Sequence, residues 1–176
     1  MAGHSKWSQI KRKKAATDSA RSRVFSKFAR LIAVESKKVG GDVSSSSLRA
    51  VIDRAKMANM PKDNIERAVA KGSSADTAAF ESVVYETYGP GGVAILIDAL
   101  TDSRNRTAQE MKFLLSEHGC ALAAPGSAAW AFTKTADGYT PISTVSVSGE
   151  DSEKLEKLLT ALDENDDVQD VFTNTY

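Results

Sequence analysis

SVVYETYGPGGVAILI, residues 82–97, sets two runs of β-branched and aromatic residues on either side of Gly89-Pro90-Gly91-Gly92. Each run is of strand length and the residues between them favour a tight turn, so the segment predicts an antiparallel hairpin. The second run is apolar throughout, as in a strand covered on both faces. Downstream, Asp102 or Ser103 can cap a helix that carries Met111, Leu114 and Leu115 on one side and stops before Gly119. Residues 128–132 and 142–147 read as two further strands, with Asp137-Gly138 as a hairpin turn signal between them. Residues 150–162 form a helix with Leu155, Leu158, Leu159 and Leu162 on its apolar side, and residues 168–173 a closing strand. A strand-strand-helix order met twice predicts an α+β domain over residues 78–176: a mostly antiparallel sheet with two helices on one face.

Upstream the period changes. Val24, Phe25, Phe28, Leu31 and Ile32 recur at spacings of three and four in a helix that Asp18 or Ser19 can cap, running to about Lys38 and stopped by Gly40-Gly41. The serines at 44–47 supply caps for a second helix with Leu48, Val51, Ile52 and Ala55 inward. Pro61 suits the first turn of a third, with Ile65, Ala68 and Val69 inward and Gly72 at its end. Residues 1–72 thus read as an all-α helical bundle preceded by an arm, and the small polar residues 73–77 as a linker.

Composition narrows the function classes. One cysteine, Cys120, permits no intrachain disulfide, and with only His4 and His118 beside it no conventional zinc site can be assembled, so no metal is expected. No apolar run approaches a membrane span, and the basic N-terminus leads into no signal-peptide core. A reducing cytoplasm is the expected compartment, with no membrane partner. Gly89-Pro90-Gly91-Gly92 lacks the Gly-Lys-Ser/Thr ending of a phosphate loop and reads as a turn. His118 and Cys120 straddle a helix stop with no third orienting group, and read as a helix-end histidine and a packed cysteine. Glu164, Asp166 and Asp167 match no calcium loop and read as a solvated loop. No catalytic set emerges, so neither an enzyme nor a small-molecule substrate or cofactor is expected.

The formal net charge is zero, yet the charge is strongly divided. Residues 1–72 hold 17 Lys and Arg against 6 Asp and Glu; residues 73–176 hold 6 against 17. Lys6, Lys11, Arg12, Lys13, Lys14, Arg21, Arg23, Lys27 and Arg30 face the single acid Asp18. Such a cluster is the electrostatic footprint of a phosphate backbone, whose counterions each lysine or arginine releases. Trp7, and more weakly His4, could stack on an unpaired base. A solvated basic tail is the bland alternative. Met57, Met60 and Lys62 flank the turn between the second and third helices; they read either as core methionines at a helix break or as a turn projecting toward RNA. Arg104 and Arg106 sit in the first turn of a helix, where positive charge opposes the dipole. They mark either an anion site or salt bridges to Asp98, Asp102 or Glu110.

The strings MAGHSKWSQIKRKKAATDSARSRVFSKFARLI, NMPKDNIERAVAKG, VYETYGPGGVAILIDALTDSRNRT, GSAAWAF and LLTALDENDDVQDVFTNTY span nearly the whole chain. They resemble the YebC family, which includes bacterial proteins described as transcriptional regulators and the mitochondrial translational activator of cytochrome oxidase subunit I. Members of that family usually carry a third domain between the strands matching residues 130–132 and 140–142; here only residues 133–139 join them. The resemblance implies a non-enzymatic nucleic-acid-binding factor. Two roles follow: a ribosome-associated translation factor that aids elongation, with ribosomal RNA, ribosomal proteins or tRNA as partners, or a regulator that binds double-stranded DNA. The residues favour ribosomal RNA, because the arm is basic and poor in apolar residues and no recognition helix of base-reading side chains stands out.

Overall fold

The computed structural model describes Trp7, Ile10 and residues 17–75 and 79–176, and it divides into two compact units. One comprises Ala16–Phe80; the other joins Met1–Ala15 to Glu81–Tyr176. This grouping differs from the expected domains 1–72 and 78–176 in joining Met1–Ala15 to the α+β unit. Among the described residues, no helix is long and apolar enough to cross a membrane.

Among the described residues the helical unit has three helices: α1 (Asp18–Lys38), α2 (Ser46–Met57) and α3 (Lys62–Ser73). The cap of α1 is Thr17 and neither Asp18 nor Ser19 as expected; its hydroxyl accepts the Ala20 N–H at 3.3 Å. The helix stops where Gly41 N–H returns to the Ser36 carbonyl at 2.9 Å. Ile32, Leu48, Ile52, Ala55, Met60, Ile65 and Ala68 form the core, with Phe25 and Phe28 at its edge. Gly72 lies inside α3, where it was expected to terminate it. A Cβ there would strike the Ala33 carbonyl oxygen and come within 2.7 Å of Ser36 Cβ, so the glycine is the contact that lets α3 lie against α1. Ser36, fully buried at that crossing, donates its hydroxyl to the Val69 carbonyl at 2.7 Å.

The α+β unit is built on β1 (Glu81–Tyr88), β2 (Ala94–Thr101) and β5 (Val168–Thr173), antiparallel and in the order β1-β2-β5. β2 is central, which explains its apolar run: Ile95, Leu96 and Ile97 are all fully buried, each contributing about 2 kcal/mol by leaving water. The Gly89–Gly92 stretch is the expected turn. Gly89 N–H donates to the Val93 carbonyl at 2.8 Å, and Gly91 has the positive φ (74°) that the turn demands. Helices α4 (Arg104–Glu117) and α5 (Gly149–Glu164) lie on one sheet face through Met111, Leu115, Leu155, Leu158, Leu159 and Leu162. The other face is covered at one end by Ala128, Ala131 and Phe132, packed on Ala94 and Leu96.

The remaining strands differ from expectation. The second sheet is a hairpin of β3 (Phe132–Thr135) and β4 (Gly138–Pro141), so Asp137-Gly138 does mark a turn. Residues 129–131 form a 3-10 turn, and residues 142–147 hold only a single bridge, Val145 with Thr175. The cause is Glu86. Its carboxylate takes the backbone N–H groups of Gly126, Ala128 and Ala129, which leaves them unavailable to a ladder.

Candidate nucleic-acid interface

His4, Lys6, Lys11, Arg12, Lys13 and Lys14 lie outside the described residues. Trp7 and Ile10 do not, and they correct the stacking expectation. Both are helical and buried, at 3% and 7% exposure, in the core formed with Val93, Ile95, Leu155, Leu158 and Val171. Their spacing of three puts both on one helix face. An indole in this position anchors the arm and presents no ring to a base.

The α1 cations are ordered by the helix. At 3.6 residues per turn, Arg23, Lys27 and Arg30 fall within about 60° of one another, on the side roughly opposite the buried Ile32 and Ser36. Lys37 and Lys38 continue this side, so the row from residue 23 to residue 38 is about 22 Å long at 1.5 Å per residue. Arg23, Lys27 and Arg30 are half-buried, and the Arg30 guanidinium sits 5.5 Å from the Phe80 ring centre. Arg21 points to another side of the helix, is exposed, and stands 3.8 Å from Asp18. Lys38 is held by Glu35 at 2.6 Å.

At the turn between α2 and α3 the two methionines separate. Met57 is 83% exposed, whereas Met60 is core. Asn59 adopts a left-handed conformation (φ 61°), and Met60 N–H then returns to the Ala55 carbonyl at 3.0 Å, which folds Met60 back over the end of α2. Met60 therefore leaves the expected RNA-facing set. Met57 and the exposed Lys62 remain at the surface, Lys62 lying 3.5 Å from Glu66.

Arg104 and Arg106 hold the protein's own carboxylates, so the structure supports the salt-bridge alternative to an anion site. Arg104 lies 3.4 Å from Glu81. Arg106 meets Asp167 at 2.9 Å, Asp102 at 2.8 Å and Glu110 at 3.7 Å, and the hydrogen bonds to Asp167 and Asp102 hold the guanidinium above its ordinary pKa. Asp98 is not among its partners; that carboxyl is raised by burial and by Asp170 beside it. Asp167 is not solvated as expected. It is 3% exposed and takes the Thr107 hydroxyl at 2.6 Å.

Other chemistry is weak. Burial pushes the Cys120 thiol up, the opposite of an activated nucleophile. Among the described residues, no group of three or more His, Cys, Asp or Glu could hold a metal ion. Along α5 a shallow depression is bordered by Glu153, Glu156 and Glu164 with one cation, Lys157. Sequence reasoning missed Glu86. Its signal is a lone carboxylate in SVVYETY on the same strand face as Val84 and Tyr88.

Comparison with known proteins matches both units. The family model for the TACO1/YebC N-terminal domain covers residues 5–75. The model for the TACO1/YebC second and third domain covers residues 80–137 and 134–175, two stretches that meet in the β3–β4 hairpin. A probable transcriptional regulatory protein of Kosmotoga olearia is 39% identical over 236 residues, with 99% of this chain and 94% of that protein covered. That span exceeds this chain by 60 residues. A probable transcriptional regulatory protein of Lacticaseibacillus casei is 42% identical, covering 99% of this chain and 73% of that protein. The crystal structure of a conserved hypothetical protein from Aquifex aeolicus superposes with a TM-score of 0.81 at 31% identity, covering 93% of each chain. With both units matched in order and relatives matched along nearly the full length, this chain belongs to the TACO1/YebC family.

Proposed function

We propose that this protein is a non-enzymatic, nucleic-acid-binding factor of gene expression, and that its target is ribosomal RNA, where it aids elongation. The observation that carries this reading is the division of charge: 17 Lys and Arg against 6 acids over residues 1–72, with one series of cations ordered along α1. Phosphate neutralisation on this scale supplies affinity without base readout. The surface of α3 favours RNA over duplex DNA. The second helix of a helix-turn pair would enter the major groove by its N-terminal residues. Here those residues include the acids Asp63 and Glu66; Lys62 is paired with Glu66, and Arg67 is hydrogen-bonded to Asn64. The exposed Met57, between Lys56 and the turn, offers an apolar contact for an unstacked base.

Duplex DNA is the second reading, favoured by the names of the bacterial relatives. Ribosome co-sedimentation at low and high salt separates the two. The chain is compared with a variant carrying Lys11→Gln, Arg12→Gln, Lys13→Gln and Lys14→Gln, which keeps Trp7 and Ile10. Salt-sensitive co-sedimentation is expected, and the variant's log-log salt slope should fall by about 3, at roughly 0.7 per lost phosphate contact on a single strand. Absence of co-sedimentation together with retention on a DNA duplex would transfer the function to DNA; binding to neither would end both readings.

A further inference from the structure

The described surface of the α+β unit carries a tryptophan that neither the fold nor the proposed nucleic-acid contact uses. Trp130 is 58% exposed. Its indole N–H donates to the Tyr88 hydroxyl oxygen at 2.8 Å, and the Tyr88 hydroxyl donates in turn to the Ser127 carbonyl. The backbone beneath is fixed as well, because the Ala128 and Ala129 N–H groups are held by Glu86 at 2.7 and 2.9 Å. Ile142, 67% exposed, adjoins this turn through its N–H to the Ala131 carbonyl at 2.8 Å. The result is an apolar platform whose large ring is oriented before anything binds. Pre-ordered aromatic rings ringed by apolar side chains are what interface hot spots are made of.

Charge selects the occupant. An exposed indole face accepts either a nucleobase or a cation. Residues 81–176 hold 16 Asp and Glu against 6 Lys and Arg. On the strand face that carries Tyr88, Val84 pairs with Asp98, and Asp98 pairs with Asp170 on β5. Tyr88 is four residues from Val84, about 13 Å along the strand. Lys134, exposed on β3, is a cation that acts on Asp98, whose carboxyl Asp170 raises in the opposite sense. A phosphodiester would meet repulsion here, whereas a basic chain would meet attraction at both ends of the face. The β3–β4 connection is short, and Trp130 is open to solvent.

We propose that the Trp130–Tyr88–Ile142 surface is a docking site for a basic protein segment, with an arginine guanidinium stacked on the Trp130 ring and a second cation drawn toward Asp98 and Asp170. This inference does not depend on which nucleic acid the basic half binds. The test uses the full chain and its two indole N–H resonances, from Trp7 and Trp130, in a nitrogen-15 correlation spectrum. A nine-residue Arg-Gly-Gly repeat peptide and a ten-residue oligouridine are added separately. The peptide is expected to shift the Trp130 resonance and leave that of Trp7 in place. Trp130→Ala should weaken peptide binding about tenfold, as loss of a cation–π contact implies, while Trp130→Phe, which keeps a ring, should stay within about threefold of the parent. Asp98→Asn with Asp170→Asn should weaken binding and flatten its salt dependence. If oligouridine moves the Trp130 resonance and the peptide does not, the platform is a base-stacking site and the proposal fails. Equal peptide binding by the parent and Trp130→Ala, with the Trp130 resonance unmoved, would overturn it also.

Discussion

Replacing Glu86 with glutamine should destabilise the α+β unit more than any exposed carboxylate does. The side chain is 8% exposed. Oε2 accepts from Ala128 and Ala129 at 2.7 and 2.9 Å, and Oε1 accepts from Gly126 at 2.7 Å. An amide can keep its oxygen on Ala128 and Ala129, but its NH2 then confronts the Gly126 N–H, donor against donor. One charge-assisted bond is lost, two lose their charge assistance, and a backbone donor goes unpaired, together about 3 kcal/mol. With a urea slope of about 1.5 kcal/mol/M, the midpoint should fall by about 2 M. Tryptophan fluorescence reads this unit alone, because Trp7 and Trp130 both belong to it. The carboxylate also sets a pH dependence. Burial raises the Glu86 carboxyl, but the three backbone N–H groups outweigh burial and hold it below its usual value of 4.5. Its contribution is therefore present above pH 4.5 and lost as pH falls through the lowered folded value. The parent should lose stability in that acidic range, and Glu86→Gln should show a flatter profile there. A midpoint within 0.2 M of the parent (about 0.3 kcal/mol at that slope), or parallel acid profiles, would refute the assignment of this carboxylate as the organiser of residues 126–129.

Gly72→Ala should destabilise the helical unit by about 2 kcal/mol, since the new Cβ must displace the Ala33 backbone; circular dichroism melting should show the loss while the fluorescence midpoint holds. Thr107→Val keeps the shape but removes the fully buried hydroxyl that lies 2.6 Å from Asp167 and 2.7 Å from Thr101. Urea denaturation followed by fluorescence should show a loss of about 2 kcal/mol, and an unchanged midpoint would mean that Arg106 alone satisfies Asp167.

The regular elements were legible because their signals are local. The 3.6-residue period of α1, the apolar run of β2, the leucine stripe of α5 and the final strand at 168–173 each need only a window of the chain. The misreadings share a different origin. Residues 128–131 look like a strand because they are small and apolar, but a glutamate some forty residues upstream claims the Ala128 and Ala129 N–H groups. Gly72 looks like a helix stop because glycine usually is one; the Ala33 carbonyl that makes it necessary belongs to another helix. Trp7 amid lysines looks like a stacking residue, and only the three-dimensional core shows that Val93, Ile95, Leu155, Leu158 and Val171, all more than eighty residues away, share a core with it. The basic character of the candidate site was legible from composition. Which arginines are engaged was not, since Asp167 reaches Arg106 across 61 positions.

The burial of Trp7 also fixes an order of events during synthesis. The helical unit closes over residues 16–80 with contacts internal to that segment. The α+β unit cannot close until β5 is made, because its core joins Trp7 and Ile10 to Val168 and Val171. At 5–20 residues per second, roughly 8–32 seconds separate the synthesis of Trp7 from that of Val168. Through that interval the helical unit can already be complete, while the arm before it, tryptophan and lysines together, has no core to enter. A nascent chain stalled before β5 is thus a species with a finished basic bundle and an unshielded aromatic anchor. β5 is thus the strand that gives Trp7 and Ile10 a complete core to enter.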